Sequence, residues 1–397
     1  MEYAVASPER IEISDAVNVP LTVAFPARFS VWALAGRIVH SIGSAAEWLL
    51  GLVSLVVILS TLAAWPVVQL LTLGYLLESS ARVARSGRLR DGFVGIRRAA
   101  RIGGTAIGIW VALVPVWVIE SLVRSAELID PGSRTAGNWR IALVVVTVLA
   151  FFHIATACAR GARLRHFLLP LGHPFWLLRR LGAGGLYAEM RDALWSFAVG
   201  LQLPHYFRLG LVGFLGTLAW LAVPAVLIAS GGRHPLLGIL GALVLALVVP
   251  YVPFLQVHYA VERRAGALFS RRAISQRFRH APWAFAFALI FLLVAAAIPL
   301  YLLKVEMVPR DAAWLPCLVF VIFLAPARLL LGWAYARSVR RAQPRHWLLR
   351  WIGRLTIIPA ALLYVLVVFL AQYTSWGGVA SLYDQHALLL PVPFLSM

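Results

Sequence analysis

The sequence feature that most constrains the fold is a run of thirty residues without a charge, from Trp48 to Leu77. An α-helix rises about 1.5 Å per residue, so a helix of this length exceeds the ~30 Å hydrocarbon core of a bilayer. Pro66 lies inside the run and predicts a kink. We therefore interpret the run as one long membrane span that is bent or tilted.

The composition extends this interpretation to the whole chain. Hydrophobic residues make up 61% of the 397 residues and charged residues 13%, with a mean hydropathy of +0.83. A soluble domain is roughly half apolar and about a quarter charged. The excess of apolar residues favours a multi-pass membrane protein. Both cysteines, Cys158 and Cys317, lie in apolar runs, which argues against a disulfide framework and a thiolate metal site.

The apolar runs predict an all-α polytopic transmembrane bundle of about eight spans. These spans are Trp48–Leu77, Ile102–Ile119, Ile141–Ala159, Leu209–Ala229, Leu236–Ala260, Ala281–Leu303, Ala313–Ala336 and Leu355–Trp376. We predict an N-terminal tail and interfacial helix over residues 1–47, a transmembrane domain over 48–376 and an apolar C-terminal tail over 377–397. The first residues are acidic and lack a basic region before an apolar one, so no cleavable signal peptide is expected.

Arginine-rich segments, here called bridges, alternate with the other connections. The four bridges are residues 78–101, 160–208, 261–280 and 337–354, and they carry 26 of the 36 Lys and Arg residues. Basic residues accumulate in short cytoplasmic loops, so the bridges are predicted to be cytoplasmic and both termini outside, in the cytoplasmic membrane of a bacterium. Pairing the spans across the bridges predicts four hairpins, at 48–119, 141–229, 236–303 and 313–376.

The bridges are predicted to lie as amphipathic segments at the membrane surface. In the first bridge, Gly87 is expected to end a helix and Asp91 to cap a second, short one. Each arginine near an anionic leaflet contributes about 1 kcal/mol, so anionic lipids are the predicted partners. The predicted head-group contacts are Arg97, Arg98, Arg101, Arg271, Arg272, Arg340 and Arg341. The net charge of +20 also raises nucleic acid as a partner, but the apolar content argues against it.

Two of the spans share an order of residues near their ends, Pro-x-x-Gln followed by Tyr-x-x-Glu. The two sets are Pro66, Gln69, Tyr75 and Glu78, and Pro253, Gln256, Tyr259 and Glu262. This shared order of residues predicts a weak internal duplication. Proline-broken repeats are common in transporters, although prolines are also ordinary in membrane helices.

Few polar side chains lie inside the spans, and they define a candidate intramembrane site. Its predicted members are Gln69, Glu78, His153, Gln256, His258, Glu262 and Arg328. Arg328 is costly inside a membrane, so it is expected either to pair with Glu78 or Glu262 or to extend to the lipid phosphates. The glutamines are expected to form interhelical hydrogen bonds, and His153 a packing contact. No catalytic, cofactor or metal motif occurs, so none of these sites is predicted.

Three segments resemble a bacterial family of multi-pass membrane proteins, a domain of unknown function found in planctomycetes and similar GC-rich bacteria. They are LGYLLESSARVARSGRLRDGFVGIRRAARIG, LGWAYARSVRR and QHALLLPVPFL. The alternation of spans and basic bridges is more distantly similar to the membrane domain of some glycerophosphodiester phosphodiesterases, but the catalytic domain of those enzymes does not occur here. Neither resemblance implies a functional residue.

Three functions follow as hypotheses. The first is a permease-like or lipid-handling protein with a polar path lined by Gln69, Gln256, His258 and Arg328. The second is a non-catalytic scaffold whose bridges bind anionic lipid or a partner. The third is a membrane-embedded lipid enzyme, for which a cluster of His, Asp and Glu in a cytoplasmic pocket would be required.

Overall fold

The computed structural model describes residues 31–168, 176, 179, 184–303, 314–374, 382 and 390, and every regular element among them is helical. The all-α prediction is therefore confirmed for these residues. The α-helices are α1 (Val31–Ala63), α2 (Gln69–Ser86), α3 (Ile96–Ile129), α4 (Arg134–Ala159), α5 (Leu164–Leu168), α6 (Leu186–Gly200), α7 (Leu203–Ala229), α8 (Pro235–Val248), α9 (Val252–Glu262), α10 (Arg271–His280), α11 (Pro282–Leu303), α12 (Trp314–Val339) and α13 (Trp347–Thr374). Short 3₁₀ turns cover Leu89–Gly92, Ser230–Gly232 and Ala265–Phe269.

The chain divides into two compact units, Met1–Ala46 and Glu47–Met397. The described part of the first unit is the beginning of α1, where Ser44 Oγ donates a hydrogen bond to the carbonyl oxygen of Ser41 at 2.9 Å. The bundle described below belongs to the second unit.

Several helices have the length and apolar composition of membrane spans, which makes this a multi-pass membrane protein. Six stretches qualify among the described residues, namely Ser41–Ala63, Ile96–Ile129, Arg134–Ala159, Tyr187–Gly232, Trp314–Val339 and Trp347–Leu370. Two bent pairs raise the number to eight if each pair is counted as one span. They are α8 with α9, bent by 43°, and α10 with α11, bent by 114°.

The prediction that Trp48–Leu77 forms one bent or tilted helix is wrong. Helix α1 ends at Ala63 and α2 begins at Gln69, so Pro66 lies in a break between two helices rather than at a kink within one. Proline lacks an N–H group and clashes with the preceding turn, so it interrupts helical hydrogen bonding. A hydrogen bond of 2.9 Å from the Gln69 N–H to the Trp65 carbonyl oxygen closes the break.

Helix α2 lies at the centre of the bundle. It packs most extensively against α7 and α12, and it also contacts α9. Every residue from Thr72 to Ala81 is buried. Small residues permit this close packing: a Cβ added at Gly74 would overlap the Tyr206 carbonyl oxygen of α7, and one added at Gly332 of α12 would overlap the Ser80 carbonyl oxygen.

The pairing of the helices into the four predicted hairpins is not confirmed. Among consecutive long helices, the most extensive packing joins α3 with α4, α7 with α8 and α11 with α12. These pairs are linked by the connections that alternate with the bridges. The described connections are short, at residues 130–133 and 230–234, and short connections make antiparallel helices neighbours.

The four bridges nevertheless contact one another. The Arg98 guanidinium donates a hydrogen bond to the Gly200 carbonyl oxygen, which joins the first bridge to the second. The Arg340 guanidinium donates to the Ser86 carbonyl oxygen, which joins the fourth to the first. The Arg345 N–H donates to the Arg279 carbonyl oxygen at 2.9 Å, which joins the fourth to the third. The bridges therefore meet at one end of the bundle, here called the arginine-rich end.

The local structure of the first bridge is only partly as predicted. Gly87 ends α2 in the left-handed conformation, with φ of 71°, and this prediction is confirmed. Asp91 lies within the 3₁₀ turn instead of capping a helix, and the next helix follows Gly95 without a side-chain cap. The expected short surface helix does not form, because Ile96 and the residues after it begin the 34-residue helix α3.

Candidate functional site

A chain of buried hydrogen bonds starts at Arg328 in α12. Its Nη1 donates to Oε1 of Gln256 in α9, and Nε2 of Gln256 donates to Oγ1 of Thr217 in α7 at 2.6 Å. Thr217 Oγ1 in turn donates to the Gly213 carbonyl oxygen at 2.8 Å. The exposed fraction is 1% for Arg328, 0% for Gln256 and 1% for Thr217. The chain therefore ties three helices together in the interior.

Both predictions for Arg328 are wrong. Among the described residues no carboxylate lies within ion-pair distance of its guanidinium. Glu78 is held by other basic groups, and Glu262 is an exposed residue at the end of α9. An arginine that reached the lipid phosphates would be exposed, whereas Arg328 is enclosed. The amide oxygen of Gln256 supplies an acceptor at the depth of the guanidinium, which reduces the cost of burying it.

Glu78 is the centre of a second polar cluster. Its carboxylate is bound by Arg82 at 3.2 Å, Arg85 at 3.1 Å, His205 at 3.4 Å and Arg263 at 3.6 Å. The Glu78 side chain is 4% exposed, whereas the three arginine side chains are 41 to 55% exposed. One buried carboxylate thus orients several basic groups whose outer faces reach the surface. The cluster has an excess of positive charge.

Two further predicted residues, His258 and His153, lie apart from these clusters. Nδ1 of His258 lies 2.8 Å from the hydroxyl of Tyr335, and the Arg277 guanidinium lies 4.3 Å from the centre of the Tyr335 ring. Nε2 of His153 lies 2.9 Å from the Phe167 carbonyl oxygen, which joins α4 to α5. The structure therefore brings Arg328 and Gln256 together but not the whole predicted site.

Gln69 does not form the interhelical hydrogen bond that was predicted for it. Its side chain is buried, with 2% exposed, and no hydrogen bond of this side chain is found within the described residues. The link from α2 to α1 comes instead from Thr72, whose Oγ1 donates to the Leu59 carbonyl oxygen at 3.0 Å. A threonine one turn away thus has the role that the sequence assigned to the glutamine.

A cavity of about 580 Å³, here called cavity A, lies between α1, α2, the start of α3 and the junction of α6 with α7. Its wall is mainly apolar, and Arg82, Arg97 and Arg98 supply guanidinium groups to it. The Tyr75 hydroxyl donates to the Val94 carbonyl oxygen at 3.0 Å and so fixes one side of the cavity. Apolar wall residues include Leu55, Ile58, Leu59, Leu62, Leu71 and Ile102.

The arginines predicted to contact lipid head groups lie at the surface. Arg97, Arg98, Arg101, Arg271, Arg272 and Arg340 are exposed, and Arg341 is half-buried. Contact of a guanidinium with a head group requires such exposure, and the contact itself stays a prediction. The sequence prediction missed that two of these arginines share a cavity with Arg82. The four-residue spacing of Glu78 and Arg82 signalled only their ion pair, and no local pattern brings Arg82 of α2 next to Arg97 and Arg98 of α3.

The proposed polar path is not found among the described cavities. Four cavities within the described ranges were compared, and none of these four is lined by Gln69, Gln256, His258 or Arg328. The described residues also contain no group of three or more His, Cys, Asp or Glu able to hold a metal ion. Comparisons with protein-family models, curated proteins and solved structures found no match.

Proposed function

We propose that this multi-pass membrane protein binds an anionic membrane lipid in cavity A. The observation that carries the proposal is a mainly apolar cavity with Arg82, Arg97 and Arg98 on its wall. An acyl chain is matched by the apolar part, and a phosphate by the guanidinium groups. The volume of about 580 Å³ lies within the range of roughly 300–1,000 Å³ that is usual for ligand pockets.

The charges around cavity A favour an anion. Arg97 has no carboxylate partner within the described residues, and Arg98 donates to a neutral carbonyl oxygen at Gly200. Arg82 is oriented by Glu78, whose carboxylate it shares with three other basic groups. A phosphate would therefore meet cations that are already positioned and only partly neutralised.

We also propose an orientation, in which the arginine-rich end faces the cytoplasm of a bacterium and the end of α13 lies outside. The expectation that the N-terminal side also lies outside is not kept, because the Trp48 ring of α1 lies 5.7 Å from the Phe93 ring of the first bridge, at the arginine-rich end. The arginine count of the four bridges supports this orientation, as does their meeting at one end. A cytoplasmic leaflet carries anionic lipids, so cavity A would face the leaflet that contains its ligand.

The second candidate function is a non-catalytic scaffold that uses the bridges to hold lipid or a partner. It is favoured by the buried chain from Arg328 to Thr217, because this chain joins three helices where a permease would need a path. The two functions differ in what cavity A contributes: lipid handling requires a ligand inside it, whereas a scaffold requires only exposed charge.

Native mass spectrometry of the gently solubilised protein separates these functions. Phosphatidylglycerol is expected to stay bound to the wild-type protein and to be lost from the double variant Arg97→Ala/Arg98→Ala. Arg88→Ala is the matched control, because Arg88 is exposed in the same bridge but does not line cavity A. Equal loss in all variants would indicate a charged surface and favour the scaffold. Undiminished binding in the double variant would overturn the proposed site.

A further inference from the structure

Helices α2 and α9 end in the same unusual backbone path. Gly87 after α2 has φ/ψ of 71°/10°, and Arg263 after α9 has 58°/24°, both in the left-handed region. The following residues, Arg88 and Arg264, are extended, with φ/ψ of −113°/123° and −116°/125°. A left-handed residue after a helix is common, but a left-handed arginine is uncommon, and the match extends to the next residue, which indicates a repeated structure.

The repeat continues through the next turn. Each extended residue is followed by a 3₁₀ turn, Leu89–Gly92 in one copy and Ala265–Phe269 in the other. The turns end at Phe93 and Ser270, which have φ/ψ of −82°/74° and −82°/58°. The two copies thus follow one path and differ by a single residue in the turn.

This path makes Tyr75 equivalent to Tyr251, since each lies twelve residues before the left-handed position. The contacts agree. Tyr75 bonds the carbonyl oxygen of Val94, and the Tyr251 ring lies 4.7 Å from the guanidinium carbon of Arg271. Val94 and Arg271 each come directly after the residue that ends the turn. The register suggested by the sequence, which equated Tyr75 with Tyr259, is therefore wrong at this end of the repeat.

A second cavity occupies the equivalent place in the second copy. This cavity B, of about 250 Å³, is lined by Leu247 and Tyr251, just as cavity A is lined by Leu71 and Tyr75. Its inner wall includes Phe254, whose ring stacks on another phenylalanine ring at 4.1 Å. Leu247 is 65% exposed, so cavity B opens on an apolar flank of the bundle.

We infer that cavity B is a second binding site for an anionic phospholipid, with part of an acyl chain in the cavity and the phosphate on Arg271 and Arg354. Both arginines line it and are exposed, and neither has a carboxylate partner within the described residues. The Tyr251 ring holds the Arg271 guanidinium at the cavity by a cation–π contact. The choice of ligand class rests on the proposed function of cavity A, but the two cavities share no lining residue.

The test is to titrate the solubilised full chain with phosphatidylglycerol and count the bound lipids by native mass spectrometry. Wild-type protein is expected to bind two, and Arg271→Ala/Arg354→Ala one. Each lost arginine should weaken binding to cavity B by about fivefold.

Ser275→Phe keeps every charge but fills the cavity, and it should also leave one lipid. Arg279→Ala is the matched control, because Arg279 is exposed on the same helix as Arg271 and does not line cavity B. Thermal unfolding confirms that each variant is folded.

The outcomes for the two cavities are distinguishable. Two lipids on both Arg271→Ala/Arg354→Ala and Ser275→Phe would overturn the inference. A single lipid on the wild-type protein that only the Arg97→Ala/Arg98→Ala variant loses would overturn cavity B and leave cavity A standing. Loss confined to the cavity B variants would support this inference and overturn the proposed function of cavity A. Equal binding of neutral phosphatidylcholine would overturn the role of the arginines.

Discussion

The guanidinium of Arg328 donates a hydrogen bond to the side-chain amide of Gln256, and both side chains are buried in the interior of the bundle. The two residues are 72 positions apart in the sequence. A buried guanidinium is costly unless its donors are satisfied, so the Gln256 amide oxygen lowers the cost of burying Arg328 and connects α12 to α9.

We predict that Arg328→Ala lowers the folded yield and the thermal stability, and that Arg328→Lys partly restores both. The free energy of unfolding should fall by about 1.5–3 kcal/mol, which is the contribution of a hydrogen bond to a charged group. Gln256→Ala should cost a similar amount, and the double variant less than the sum of the two, because the variants remove the same interaction. Thermal unfolding in detergent measures these differences. Wild-type yield and stability in Arg328→Ala would contradict a structural role for the pair.

The second prediction concerns the carboxylate that four basic groups share. Glu78→Gln should destabilise the fold by about 1–2 kcal/mol, because it leaves basic groups from α2, α7 and the end of α9 facing one another. The loss stays below the roughly 3–5 kcal/mol of a wholly buried pair, because the arginines are about half-exposed. Glu262→Gln is the control. Its carboxylate is exposed and forms no ion pair within the described residues, so the change should stay within about 0.5 kcal/mol. Equal effects of the two variants would count against the cluster.

The third prediction concerns the crossing of α2 and α7. A Cβ added at Gly74 would overlap the Tyr206 carbonyl oxygen, and one added at Gly210 would overlap the Leu70 carbonyl oxygen. Backbone atoms cannot move aside as a side chain can, so alanine at either position should force the helices apart. Both variants are expected to lose at least about 2 kcal/mol. Gly137→Ala in α4 meets nothing within 4 Å and should be neutral or stabilising by about 0.5–1 kcal/mol. Equal thermal stability of Gly74→Ala and Gly137→Ala would contradict the close crossing.

The apolar runs were sufficient to predict helical spans, because hydropathy depends only on local composition. Gly87 was also predictable as a helix end, since a left-handed residue after a helix favours glycine. The break at Pro66 was harder. A proline indicates an interruption, but whether the chain kinks or separates into two helices depends on what packs beside it. Here α2 is enclosed by α7 and α12, which the local sequence does not show.

The partners of the polar residues were the least predictable part. Glu78 and Arg328 were expected to lie at the same depth, and opposite charges suggested an ion pair. In the structure Glu78 has Arg82 and Arg85 on its own helix, which bind it without requiring a particular arrangement of the bundle. Arg328 then bonds a neutral amide. Helical spacing could have identified the first arrangement, whereas the second depends on the tertiary packing of α9 against α12.

The fourth prediction tests the proposed orientation, in which the arginine-rich end is cytoplasmic. Helix α7 begins at that end, where His205 contacts Glu78. Its 27 residues extend about 40 Å, which places the turn at Ser230–Gly232 at the opposite end. In a background with Cys158→Ser and Cys317→Ser, a membrane-impermeant maleimide should label Gly232→Cys in intact cells. It should label Gly266→Cys, near the end of α9, only after permeabilisation. Both glycines are exposed with nothing within 4 Å of an added Cβ, so the two reporters are matched. The opposite labelling pattern would reverse the orientation and place both cavities in the outer leaflet.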